Sequence, residues 1–217
     1  MGGRLEKYAV PAEMADEYSA VVEFIQAVKM KEAFKRLKRL LESDPEHPRL
    51  NVTLAQIHFH RNDLNEAKAV LSEVVRECPD FDEAYSFLSA VYAWKGDGKK
   101  AAKNAEKALQ LNPSSPASWN ALGMYHAKRY DYATALEHFL AAYSMDPEYL
   151  TAAYNIACAY AMLGDKAEAL EFLKKAFASP YYVDAAEKDR DINPLREEES
   201  FQKLLSSARE RLGDETG

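Results

Sequence analysis

Cysteine is scarce in this chain: Cys78 and Cys158 are its only two among 217 residues, and they form no CxxC pattern. Neither a disulfide framework nor a cysteine zinc site is indicated, and a reducing, cytoplasmic setting is the simpler expectation. Glycine and proline are also few, at 8 and 9, and sit apart, while Leu, Ala, Glu and Lys dominate. That balance favours helices joined by short turns over a sheet protein, so the class expected is all-α. No apolar run approaches the roughly 18 residues a spanning helix needs, which argues against membrane insertion. The opening Met1-Gly2-Gly3-Arg4-Leu5-Glu6 has no apolar stretch of leader length, and Glu6 stands where a myristoylation signal carries Ser or Thr. A net charge of -7 argues against a general nucleic-acid binder, whose affinity comes largely from neutralising phosphates. With 47% of its residues apolar, the chain can bury a sizeable core.

Catalytic constellations are missing too. There is no Gly-rich phosphate loop, GxSxG elbow, HExxH or paired-cysteine motif, so the expectation is a protein that is not an enzyme and uses no cofactor or metal. His58 and His60 resemble a metal pair, but two residues apart on a helix they point about 200° away from each other. Glu197-Glu198-Glu199 reads as a solvated helix start favoured by the helix dipole. Cys158, with no neighbouring cation to lower its pKa, reads as packing or groove lining. The basic residues Lys29, Lys31, Lys35, Arg36, Lys38 and Arg39 flank the apolar stripe Phe34, Leu37, Leu40 and Leu41. A core claims that stripe, leaving the charges as a solvated face.

What is present is a period. Ala33, Ala67, Ala101, Ala135 and Ala169 recur every 34 residues, and so do Pro45, Pro79, Pro113 and Pro147. Between them run Leu54, Leu88, Leu122 and Ile156, the small column Ala55, Ser89, Gly123 and Ala157, and the ring column Phe24, His58, Tyr92, His126 and Tyr160. In the segment from Pro116 to Tyr149, Trp119, Leu122, Gly123 and His126 make one helical stripe, helix A. Ala135, Leu136, Phe139 and Ala142 make a second, helix B, before Asp146-Pro147. Small residues at Gly123 and Ala135 let the paired helices approach. Asn62-Asp63, Gly96-Asp97, Tyr130-Asp131 and Gly164-Asp165 mark the turns between A and B.

These columns resemble the tetratricopeptide repeat family, whose signature of Trp, Leu-Gly, Tyr, Ala, Phe, Ala and Pro is matched by Trp119, Leu122-Gly123, Ala135, Phe139, Ala142 and Pro147. His126 stands at the Tyr place. The resemblance implies a right-handed α-α superhelix of about five helix-turn-helix units, over residues 14–47, 48–81, 82–115, 116–149 and 150–183, after an N-terminal segment 1–13. The first unit places Val21 where a small residue is expected. Within 184–217, Phe201, Leu204, Leu205, Ala208 and Leu212 form the stripe of a capping helix, expected from about Glu198 to Leu212 and docked on the last helix B.

In such a solenoid the face of helix A opposite its core stripe lines a concave groove. It is expected to hold Val52, Ser86, Asn120 and Tyr154; Gln56, Ala90, Met124 and Cys158; Phe59, Ala93, Ala127 and Ala161; and His60, Trp94, Lys128 and Met162, with Arg49 and Thr151 on the entrance side. This face is more apolar than solvent favours, so something covers it: a partner's apolar peptide or helix, neighbouring helices, or the chain's own termini. Met and aromatic walls suit an apolar segment. Some members of the family grip chaperone tails with a Lys, Asn and Arg clamp, but those places hold residues such as Val52, Gln56, Phe87, Ala117 and Ala121. The expected function is a protein-interaction scaffold, adaptor or assembly chaperone. A self-associating scaffold, forming a homo-oligomer, and a regulatory subunit of an enzyme remain as alternatives.

Overall fold

The computed structural model describes residues 7–214; the expectation about Met1 to Glu6 concerns positions outside them. The chain divides into two compact units, one ending at Pro113 and one beginning at Ser114. The first unit opens with a 3₁₀ turn, Ala12–Met14, followed by α1 (Ala15–Gln26), α2 (Met30–Ser43), α3 (Pro48–His60), α4 (Leu64–Glu77), α5 (Asp82–Trp94) and α6 (Gly98–Leu111). The second holds α7 (Pro116–Ala127), α8 (Tyr132–Met145), α9 (Leu150–Leu163), α10 (Lys166–Ala176), α11 (Pro180–Lys188), a 3₁₀ turn over Arg190–Leu195, and α12 (Glu199–Asp214). Within each unit helices pack on their sequence neighbours.

Local chemistry sets the helix ends. Pro48, Pro116 and Pro180 open α3, α7 and α11, where a missing N–H costs nothing. The Asp97 and Asp131 carboxylates accept from the backbone N–H groups of Lys100 and Thr134, capping α6 and α8. The A-to-B turns repeat one device. Val28, Asn62, Gly96, Tyr130 and Gly164, each 34 residues apart, all have positive φ, between 57° and 91°. The N–H of the next residue then bonds back to the carbonyl of the ring column: Lys29 to Phe24, Asp63 to His58, Asp97 to Tyr92, Asp131 to His126 and Asp165 to Tyr160, at 2.8–3.1 Å. This is the Schellman closure, which satisfies carbonyls that a helix end would otherwise orphan.

Packing follows the stripes. In α2 the buried residues are Ala33, Leu37 and Leu40, while Lys31, Lys35, Lys38 and Arg39 face solvent. Arg36 of the basic run pairs with Glu17 at 2.8 Å. Val21 is fully buried despite its size. The second unit is closed by α12, whose Phe201, Leu205 and Ala208 join Leu173, Ala176, Phe177, Ile192 and Leu195 in one core. Each such large apolar side chain removed from water contributes about 1.5–3 kcal/mol. Arg211 donates to the Phe177 carbonyl at 2.6 Å, satisfying the end of α10. The cap therefore does what a terminal repeat requires, covering an apolar helix face.

Candidate functional site

The residues expected to line a groove divide between the two units. In the first, Val52 is fully buried in a cluster that includes Tyr8. Arg49 pairs with Glu83 at 2.7 Å and donates through Nε to the Tyr8 carbonyl at 3.0 Å. Gln56, Ser86 and Ala90 are half-buried, and His60 is exposed. Phe59 meets the Trp94 ring edge-on at 5.7 Å, and Trp94 is 70% exposed.

In the second unit the chain's own C-terminal segment covers much of α9. Tyr154 and Cys158 are only 5% and 7% exposed. The Tyr154 ring stacks on Tyr182 of α11 at 5.0 Å, and its hydroxyl donates to the Asp189 carboxylate at 3.1 Å. The Cys158 thiol points at the same oxygen, 3.9 Å away. Burial pushes the Cys158 thiol up, and the Asp189 and Asp191 charges push it further, so it stays protonated and unreactive. Asn120 is buried and accepts from Asn155 at 2.8 Å. Thr151 and the Tyr182 hydroxyl lie 2.6 Å apart. Tyr154, Cys158 and Asn120 thus serve as internal packing and anchoring groups, while Met124, Lys128 and Met162 reach solvent.

Between these covered residues and solvent lies a cavity of about 410 Å³. Met124, Ala127 and Lys128 of α7, Tyr130 of the turn, Tyr132 and Phe139 of α8, Asn155, Cys158 and Ala159 of α9, and Asp189 and Asp191 beyond α11 line it. Tyr132 donates to Asp191 at 3.2 Å. Burial, and then the Asp189 charge, raise the Asp191 carboxyl above the ordinary range, while burial and the Asp191 charge push the Tyr132 phenol up to about 12. Neither aspartate carboxylate has an ion-pair partner within 4.0 Å among the described residues. No group of three His, Cys, Asp or Glu residues among them could hold a metal ion, and no helix among them is long and apolar enough to cross a membrane.

Tyr130, Tyr132, Asp189 and Asp191 escaped the sequence reading. Tyr130 carried a signal: it holds a turn position that Gly or Asn fills in three of the five repeats, and its ring is 82% exposed. The aspartates carried none, because they lie outside the period.

Two tetratricopeptide repeat profiles match the chain, one over residues 24–91 and the other over 92–149 and 122–183. The chain belongs to the tetratricopeptide repeat family. Tetratricopeptide repeat protein 37 of Xenopus laevis is 24% identical over 195 residues, covering 78% of this chain and 12% of that protein. This tetratricopeptide chain spans 9–13% of the length of the curated relatives it matches. Among solved structures, TTC0263 of Thermus thermophilus aligns with a TM-score of 0.68 at 19% identity, over 90% of this chain and 98% of that one. YrrB, described as a TPR protein with an unusual peptide-binding site, aligns with a TM-score of 0.53 at 21% identity, over 80% and 91%. At these identities the likeness concerns the fold.

Proposed function

We propose that the chain is a non-catalytic protein-interaction scaffold whose second unit takes a short apolar segment of a partner protein in the cavity beside Met124 and Tyr130. Tyr130 carries the reading. A bulky side chain at positive φ is strained, and such strain clusters at functional sites; here the strained residue puts an exposed aromatic ring on a cavity rim. Aromatic anchors dominate peptide binding, and a neighbouring Met adapts to varied apolar side chains. Ala127, Ala159 and Phe139 supply an apolar wall. Asp189 and Asp191 favour a basic residue flanking the apolar one, because carboxylates on the cavity wall with no ion-pair partner among the described residues gain most from a cation. YrrB, a protein of this fold, is described as having a peptide-binding site, which is consistent with such a use.

The test is selection of peptides from a random display library on the full chain, followed by affinity measurements on Met124→Glu and Tyr130→Gly variants. Apolar peptides with a basic neighbour that weaken at least about tenfold in both variants, a loss of about 1.4 kcal/mol, support the reading. Selected peptides indifferent to both substitutions would sink it.

A further inference from the structure

The first unit already holds a peptide, and the peptide is the chain's own. Lys7 donates to the Asp80 carboxylate at 2.8 Å, and the Tyr8 hydroxyl donates to the other oxygen of the same group. The Tyr8 ring, only 7% exposed, lies 4.5 Å from Phe81. Two further groups reach the main chain of this segment: Arg49 Nε donates to the Tyr8 carbonyl, and His47 Nε2 lies 3.3 Å from the Ala9 carbonyl. Arg49 is held in place by Glu83 and by its position over the Phe81 ring, 5.5 Å away.

This arrangement has the parts of a recognition site. Contacts to carbonyl oxygens serve any segment that follows this backbone, helical at Lys7 and turning at Tyr8, whereas the aromatic slot and the Asp80 carboxylate select the side chains. Among the described residues, the side chains that bond to Asp80 are Lys7 and Tyr8 of this segment. They hold its carboxyl down at about 2. The cis contact is also of a kind that can be exchanged: the Lys7–Asp80 pair is half exposed on both sides, and such pairs contribute little. Most of its strength therefore rests on the burial of one tyrosine ring.

We infer that the surface formed by His47, Arg49, Asp80, Phe81 and Glu83 binds a partner peptide carrying a basic residue followed by tyrosine, and that Lys7–Ala9 occupies it until such a partner arrives. The inference is separate from the cavity of the second unit and stands if that reading fails. A tethered occupant competes at an effective concentration on the order of millimolar, so the intact chain should bind a free peptide far more weakly than a chain whose tether is disabled.

The probe is a fluorescein-labelled peptide with the sequence of residues 4–12, titrated by anisotropy against the full chain. The Tyr8→Ala full-length variant should bind at least about tenfold more tightly than the unaltered chain. Adding Arg49→Ala or Asp80→Ala to it should abolish binding, as should Tyr→Ala in the peptide. If Tyr8→Ala proves unfolded by circular dichroism, a hundredfold excess of unlabelled peptide over the unaltered chain should instead speed hydrogen exchange at the amides of Ala9 and Val10. A folded Tyr8→Ala variant that binds no peptide would overturn the inference. So would a concentration-dependent dimer of the unaltered chain that Tyr8→Ala dissolves, because the natural occupant would then be a second copy.

Discussion

Gly123 lies directly against the ring of Phe139: a methyl group added to its Cα would come within 2.4 Å of both Cδ1 and Cε1. The contact joins α7 to α8, and Phe139 is almost fully buried. The ring cannot swing aside in a packed core, so the glycine sets how closely the two helices approach.

Gly123→Ala should therefore destabilise the chain by about 1–3 kcal/mol through overpacking. Alanine is the better helix former by about 1 kcal/mol, so a net loss means the clash has won. Thermal denaturation followed by circular dichroism measures it, and the Gly123→Ala, Phe139→Leu double variant should recover part of the loss. A Gly123→Ala chain that melts higher than the parent would refute the assigned role.

Val28 and Tyr130 occupy the positive-φ column that Asn62, Gly96 and Gly164 fill at lower cost, and both are exposed, at 76% and 82%. Left-handed backbone costs a side-chain-bearing residue about 1–2 kcal/mol, part of which glycine returns as entropy. Val28→Gly should stabilise by about 0.5–1 kcal/mol, and Tyr130→Gly by a similar amount. The two should differ in function: Tyr130→Gly trades binding for stability, while Val28→Gly leaves peptide binding at the cavity unchanged. Chemical denaturation and peptide affinity, measured on the same preparations, separate these outcomes.

His138 stacks on Trp119 at 5.5 Å and lies 5.3 Å from His126, which contacts Asp131 at 3.0 Å. Burial, and then the neighbouring His126, lower its pKa, against the weaker opposing pull of Glu137 and Asp131. The unfolded chain then binds a proton more readily than the folded one, so stability rises with pH. The contribution is complete above the ordinary histidine value of about 6.5 and is lost as pH falls from there through the lower folded value. The melting temperature should fall between pH 7.5 and 5.5, and His138→Phe should flatten that fall. An identical pH profile in the variant would assign the effect to other groups.

Much of the fold was legible because it is periodic. The ring column Phe24, His58, Tyr92, His126 and Tyr160 could be read by eye, and its carbonyls accept the five turn bonds that end the A helices. The capping stripe of Phe201, Leu205 and Ala208 was equally plain, since its spacing is that of any amphipathic helix. The candidate site was legible in part. Met124, Lys128 and Cys158 line the cavity, but angle on a helix cannot reveal that Tyr154 on the same expected face lies beneath Tyr182 and Asp189, or that the Cys158 thiol meets Asp189.

The sequence by itself determined the helix pairs, their turns and their small-residue contacts, because these depend on neighbours within one 34-residue repeat and are written four or five times over. Only the tertiary structure decided which part of the helix-A face stays open. Tyr8 meets Asp80 across 72 positions and Tyr154 meets Asp189 across 35. Tyr8 and Asp189 lie outside the five repeats, so their docking follows from shape and charge matched over long separations, which no local pattern encodes.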